Sequence, residues 1–368
     1  MRIETPEYVA DIRMATEADY ALPWYDHTKL SAVNTCPTWA VLRYDMNKQM
    51  PMGRALALEC GTAMHDVFAF VRVVTLLGQH TDKSQAFLDQ VWHYQCTRLY
   101  GLARTEQLLH DCHKADDPTD ICRRGAISLL STSGYYDDPR DKRRTLSNME
   151  ESAYAYINRW RFNHPVWVRN PQDAISDAGI EIPFDMVVEL GGVDGGMEPF
   201  RYTGRIDGVH WDGLGRLTVH DNKTSSRLGD AWTMAQEVSH QYTGYCIAAS
   251  VFTQHVVSRC DVLGLAIPLP KAYDYGGFAR EGMARDYYHL QRWLTWVAHS
   301  VGMLQSYSGD PYSAPKYTHS CNRYFRPCQF IPFCVSSDED QRDMLKQMET
   351  EEWNPLHKKE VLEGVGSE

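Results

Sequence analysis

The chain has 368 residues, 43% of them hydrophobic and 23% charged, with a formal net charge of -11. That is globular composition, long enough to bury a sizeable core in one large domain or two small ones. It excludes a disordered chain and a uniformly basic nucleic-acid-binding surface, although charge can be segregated along a sequence. No uninterrupted apolar run reaches the roughly 18 residues that a membrane helix needs. The opening stretch "MRIETPEYVADIRMATEADY" alternates charges, so neither a membrane span nor a secretory signal is expected. A cytoplasmic location follows as an expectation, the nucleoid or a host cytoplasm included. There the ten cysteines raise the question of metal binding or burial rather than of disulfides.

In chain order, residues 27–46 read as helix on both sides of a break at Cys36-Pro37, and 55–74 as a helix with an internal Gly61. From about residue 80 to 165 the pattern is mostly helical, with apolar residues three and four apart in "SQAFLDQVWHYQCTRLYGLA" and "MEESAYAYINRW". Near residue 178 the character turns to short β-rich runs, "AGIEIPFDMVVEL", "FRYTGRIDGVHWD" and "RLTVHDNKTS". "WDGLG" at 211–215 fits a hairpin loop between the last two. One helix is expected over 231–256, with Val238, Tyr242, Tyr245, Cys246 and Ala249 on its buried face. A buried strand "DVLGLAIPLP" and a last long helix through "YYHLQRWLTWVAHSVGMLQSY" follow. The order predicts a mixed α/β core with a helical insertion. N-terminal helices take 1–79, the insertion 80–177, the core 178–335, and a polar, acidic, partly ordered tail 336–368.

Chemistry concentrates on the hairpin. Turning the chain at 211–215 brings Asp207 and Asp221 to the same end of a sheet. Two adjacent carboxylates repel unless a cation separates them, and a hard divalent ion such as Mg²⁺ or Mn²⁺ suits oxygen ligands. Side chains alternate along a strand, so Asp221 and Lys223 share a face while Asn222 points away and offers only its backbone there. Paired acids, a metal and an ammonium on one face meet the needs of phosphodiester hydrolysis. Taken alone, the pattern is weak, and the same residues read more readily as a surface hairpin with scattered charges. Gln241 falls on a buried helical face one turn before Tyr245, where an amide needs partners. His65 follows Gly61 by four residues, and a neutral imidazole is a common metal ligand.

Gly61-x-x-x-His65, Gly204-Arg-Ile-Asp207, Asp221-Asn222-Lys223 and Gln241-x-x-x-Tyr245 occur in that order. Together they resemble the RecB-like branch of the PD-(D/E)XK nuclease superfamily, over about residues 27–335, with about 80–175 unmatched. The resemblance implies a restriction-endonuclease-like α/β fold, a mixed sheet flanked by helices. It implies that His65, Asp207, Asp221 and the Asn222 carbonyl hold Mg²⁺ or Mn²⁺, that Lys223 is the catalytic lysine, and that Gln241 and Tyr245 position the DNA strand. Asp221 stands where many relatives carry glutamate, a variation within the family pattern.

"CNRYFRPCQFIPFC" holds Cys321, Cys328 and Cys334, and Cys36 lies far upstream. No C-x-x-C occurs, which disfavours an ordinary zinc ribbon. The layout resembles AddB-type and CRISPR-associated exonucleases, in which one cysteine before and three after the nuclease motifs bind a 4Fe-4S cluster. Zinc at the same cysteines, or plain burial, remain alternatives. A cluster would staple the first helices to the chain's end, worth about 5 kcal/mol at most in the chain-entropy model. Cys60, Cys96, Cys246 and Cys260 read as core residues, and "HDCH" at 110–113 with Cys122 as a poor imitation of a zinc site.

The expected activity is therefore a metal-dependent DNA exonuclease in recombination, repair or replication. Its substrate is single-stranded DNA or duplex ends, with Arg123, Arg124, Arg143 and Arg144 tracking phosphates, and a helicase or recombinase as a conceivable partner. A nuclease acting on RNA, and a non-cleaving nucleic-acid-binding module of recombination or packaging machinery, are the competing readings. Polarity, strand preference and oligomeric state are not encoded in these motifs.

Overall fold

A computed structural model describes residues 1–50, 55–160, 164–170, 173–192, 196–267, 277–323 and 326–356. The elements follow from local signals. Strands β1 (Arg2–Glu4) and β2 (Tyr8–Met14) pair antiparallel at the N-terminus, followed by β3 (Trp24–Tyr25). Helix α1 (His27–Thr35) starts where the Asp26 carboxylate accepts the Lys29 N–H at 2.7 Å. It ends at the extended Cys36, and Pro37 opens α2 (Pro37–Ala40), so the expected break at Cys36-Pro37 is present. β4 (Lys48–Gln49) precedes α3 (Leu56–Gly78), the core helix. Helices α4 (Gln85–Tyr100), α5 (Leu102–Cys112), α6 (Pro118–Ser131) and α7 (Leu146–Trp160) follow. Ser84 caps α4, and Asp117 with Pro118 caps α6.

The β-rich half brings β5 (Val168–Asn170), β6 (Asp173–Ala178), β7 (Ile180–Gly192), β8 (Met197–Trp211) and β9 (Leu217–Ser225). The helix expected over 231–256 is two, α8 (Asp230–Glu237) and α9 (His240–Thr253). Ser239 accepts the Gln241 N–H and starts the second afresh, so Val238, expected in the buried face, is 77% exposed in the joint. Then come β10 (Arg259–Ala266), β11 (Phe278–Ala284), α10 (Tyr287–Ser306), β12 (Asn322–Arg323), β13 (Arg326–Pro327), α11 (Ile331–Val335), α12 (Asp338–Gln347) and β14 (Glu349–Thr350). Within the stretch read as a polar tail, α12 forms because Ser337 caps it and three acids occupy its first turn.

These elements divide into two compact units. The first comprises residues 1–54, 184–204 and 287–358, and strands β7 and β8 run through both. In it β2 pairs antiparallel with β7, and β3 parallel with β8. The second comprises residues 55–183 and 205–286. In it β8 and β9 form the predicted antiparallel hairpin, with Gly208 opposite His220 and Trp211 opposite Leu217. β9 pairs parallel with β10 through the α8–α9 crossover, and β10 pairs antiparallel with β11. This mixed sheet flanked by helices is a restriction-endonuclease-like α/β fold.

Helix α3 runs through the core of the second unit, with Met64, Val67, Phe68, Phe70 and Val74 at most 2% exposed. By length and composition alone it is long and apolar enough to cross a membrane, yet Glu59, Asp66 and Arg72 interrupt it and 78% of its apolar window is buried inside the protein. Gly179 sits where an added Cβ would lie 2.3 Å from the Val209 carbonyl oxygen. A Gly179→Ala substitution is expected to destabilise by about 1–3 kcal/mol, because backbone rather than a flexible side chain must move. A lowered Tm with unchanged secondary structure would register it, and an unchanged Tm would refute the close approach.

Candidate metal centre and cysteine cluster

The hairpin register sets the site. The Val209 N–H donates to the Gly179 carbonyl at 3.0 Å, and Gly208 lies opposite His220. Continuing both antiparallel ladders by one or two residues places Glu181 on one side of Asp207 and Asp221 on the other. Ligand atoms of His65, Glu181 and Asp207 all lie within 4.8 Å of one another. Glu181 holds the left-handed backbone angle φ 45°, uncommon for a non-glycine residue and frequent at functional sites. Asp207 Oδ2 lies 3.4 Å from His65 Nδ1 and accepts the Asn222 backbone N–H at 2.8 Å.

Burial opposes ionisation of Asp207, yet His65, Arg72 and Lys223 outweigh it and hold the carboxyl below its usual range. His65 is raised: burial pulls it down, and Asp207 and Glu181 push it up further. Asp221, 1% exposed, is raised by burial and by Asp207 despite Lys223. Lys223 Nζ lies 2.8 Å from Asp221 Oδ2, and Asp221 and Asp207 hold it protonated against burial. Buried acids balanced by cations on one face are the electrostatics expected of a divalent-cation site. Oxygen donors with one imidazole fit a hard ion such as Mg²⁺ or Mn²⁺.

The structure thus brings together His65, Asp207, Asp221 and Lys223 as the sequence predicts. The Asn222 side chain turns away, its Nδ2 donating to Tyr156 Oη at 3.3 Å. Gln241 Nε2 donates to Tyr245 Oη at 2.8 Å, so that pair forms, but Tyr242 is the α9 residue whose ring lies 6.0 Å from Lys223 Nζ. Glu181 was not foreseen from sequence. Its one signal is an acid between two isoleucines in an otherwise apolar run. Replacing Glu181 with Gln is expected to weaken Mn²⁺ binding by about 10–100-fold, measured by calorimetry without substrate. Unchanged affinity would remove Glu181 from the site.

The four arginines expected to track phosphates have partners of their own. Arg124 pairs with Asp120 at 2.7 Å and Arg144 with Asp141 at 2.6 Å. Arg123 donates to Asn158 at 3.1 Å, and Arg143 to the Ser226 carbonyl. The "HDCH" segment gathers no metal site among the described residues. Cys112 is buried with its thiol pushed up to about 12, and His110 faces Asp111 on the surface. Cys60, Cys96, Cys246 and Cys260 are core residues, each at most 1% exposed.

In the first unit, Cys36 joins α1 to α2, and the Cys328 N–H donates to the Cys321 carbonyl at 2.7 Å beside the β12–β13 hairpin. Cys334 lies in α11. Burial pushes the Cys334 thiol up to about 11; Lys316 opposes, and Cys36, Cys328 and Cys321 raise it further. Burial likewise raises Cys328, with Cys36 and Cys321 adding to it. All four sulfurs therefore share one neighbourhood. Among the described residues, no three of them fall within 4.8 Å of one another.

No curated protein matches the chain. The model of the PD-(D/E)XK nuclease superfamily matches residues 130–335, more than half of the chain. The match takes in Asp207, Asp221, Lys223 and the three C-terminal cysteines, and leaves His65 and Cys36 outside it. With the mixed sheet and the acid–lysine face already described, the chain belongs to the PD-(D/E)XK nuclease superfamily.

Proposed function

We propose that the protein is a metal-dependent deoxyribonuclease that degrades DNA from an end. The observation that carries this reading is Asp207, flanked by Glu181 and Asp221 on adjoining strands, with His65 and the Lys223 ammonium against the same acids. His65, Glu181 and Asp207 would hold Mg²⁺ or Mn²⁺, with Asp221 and the Asn222 carbonyl as further ligands. The bound ion would offset phosphate charge and acidify a water. Lys223 orients that water and neutralises charge developing on the phosphate, and Asp221 holds the ammonium in place. Gln241 and Tyr245 position the strand. The likeness to AddB-type and CRISPR-associated exonucleases favours end-directed cleavage in DNA recombination or repair, with a helicase or recombinase delivering the substrate.

Oligonucleotides labelled at the 5′ or the 3′ end test this. Label is expected to leave stepwise from one end with Mn²⁺ and to stay with a chelator. Internal fragments would instead mark an endonuclease, and no degradation would favour a non-cleaving binding module.

Cys36, Cys321, Cys328 and Cys334 are proposed to hold a 4Fe-4S cluster as a staple rather than as a redox catalyst. The shared neighbourhood of the four thiols, one from before the nuclease motifs and three from after them, supports this. Anaerobically purified protein is expected to be brown with about four irons per chain, and Cys328→Ser to lose both colour and iron. Colourless, zinc-loaded protein would refute the cluster.

A further inference from the structure

The second unit contains a cavity of about 30 Å³ lined by Arg72, Tyr156, His164, His210, His220 and Arg280, among others. A water needs about 10–15 Å³, so the cavity has room for a small polar guest. Arg72 is 4% exposed, and among the described residues neither of its terminal nitrogens meets a hydrogen-bond acceptor. Guanidinium stays protonated in proteins, and a buried unpaired charge is strongly disfavoured.

The neighbouring acids do not close on it. Asp261 is tied to Arg259 at 2.9 Å and to Arg280. Asp207 feels Arg72 electrostatically, but its Oδ2 serves Asn222 and His65. His210 is kept neutral by burial and by the Arg72 cation, which pull it down to about 3. His210 Nδ1 lies 3.2 Å from the His164 carbonyl and so donates to it. In a neutral ring that makes Nε2 an acceptor, and among the described residues Nε2 has no partner. Gly208 lets both side chains lie close against the strand, since a Cβ there would lie 2.6 Å from Arg72 Nε and 2.8 Å from His210 Nε2.

Two residues that line the cavity, Arg72 and His210, therefore carry polar nitrogens with no partner among the described residues. We propose that the cavity binds one singly protonated phosphate group, inorganic phosphate or the terminal phosphate of a nucleic-acid strand. Its oxygens accept from Arg72, and its P–OH donates to His210 Nε2. Sulfate has the same shape and no proton to give, and an internal phosphodiester has none either. This inference does not rest on the nuclease reading.

Thermal unfolding in a chelator, at fixed ionic strength, tests it. Wild-type Tm is expected to rise by about 2–6 °C as phosphate saturates, and by clearly less in sulfate. Arg72→Met should lose the response. Oligonucleotides carrying a terminal phosphate that reproduce the shift, where their hydroxyl counterparts do not, identify a strand end as the source. A shift with inorganic phosphate alone identifies the free ion. No phosphate-specific shift, or one that Arg72→Met retains, overturns the proposal. Should Arg72→Met fail to fold, calorimetry on the wild type decides: one phosphate per chain with weaker or no sulfate binding upholds the site, and equal binding or none overturns it.

Discussion

Lys223→Ala is expected to lower the rate of Mn²⁺-dependent DNA cleavage by about 10²–10³-fold. The ammonium is the positive group on the acidic face that is free of the metal's ligand set, and charge on the reacting phosphate rises in the transition state. Mn²⁺ affinity should hold or improve, because Asp221 is released from its 2.8 Å ion pair. Stability should fall for the same reason. Asp221 is 2% exposed at its side chain, and removing one partner of a buried pair costs about 3–5 kcal/mol. Lys223, 32% exposed at its side chain, puts the loss near the low end of that range. The Lys223→Ala, Asp221→Asn double variant should therefore recover stability without recovering rate. A rate equal to wild type in either variant would remove Lys223 from catalysis.

Asp207→Asn is expected to be more severe. Asp207 is the acid common to the His65 contact, the Glu181 group and the Asn222 backbone bond. An amide preserves its shape and can still accept the Asn222 N–H. It forfeits the charge that His65, Arg72 and Lys223 surround. Cleavage should fall to background, and the Tm gain that Mn²⁺ gives the wild type should disappear. The metal-free variant should also be less stable at neutral pH, since surroundings that hold a carboxyl ionised disfavour a neutral group there. Retained Mn²⁺ stabilisation would mean that the ion sits elsewhere.

Much of this site was readable because strand chemistry is local. Two-residue alternation puts Asp221 and Lys223 on one face and turns Asn222 away. The glycine-bearing loop at 211–215 sets Asp207 against Asp221 before any tertiary contact is known. Glu181 was not readable, because its role depends on a left-handed kink and on the approach of Gly179 to Val209, neither of which has a spacing signature. Arg72 was hidden for the opposite reason. One cation on a long apolar helix looks like a boundary residue until the cavity beneath it is seen. The joint between α8 and α9 was missed because apolar spacing runs on through Val238, while the Ser239 cap restarts the helix. Strands β1 and β2 were passed over because charged residues alternate through both and mask their inward apolar side chains.

Anomalous scattering from a Mn²⁺-soaked crystal of the wild-type protein tests the central claim most directly. The account predicts one peak at coordination distance, about 2.1 Å, from Asp207, Glu181 and His65, with the Lys223 ammonium beside it. A protein that binds Mn²⁺ only at other residues, or shows no peak at saturating Mn²⁺, would contradict it.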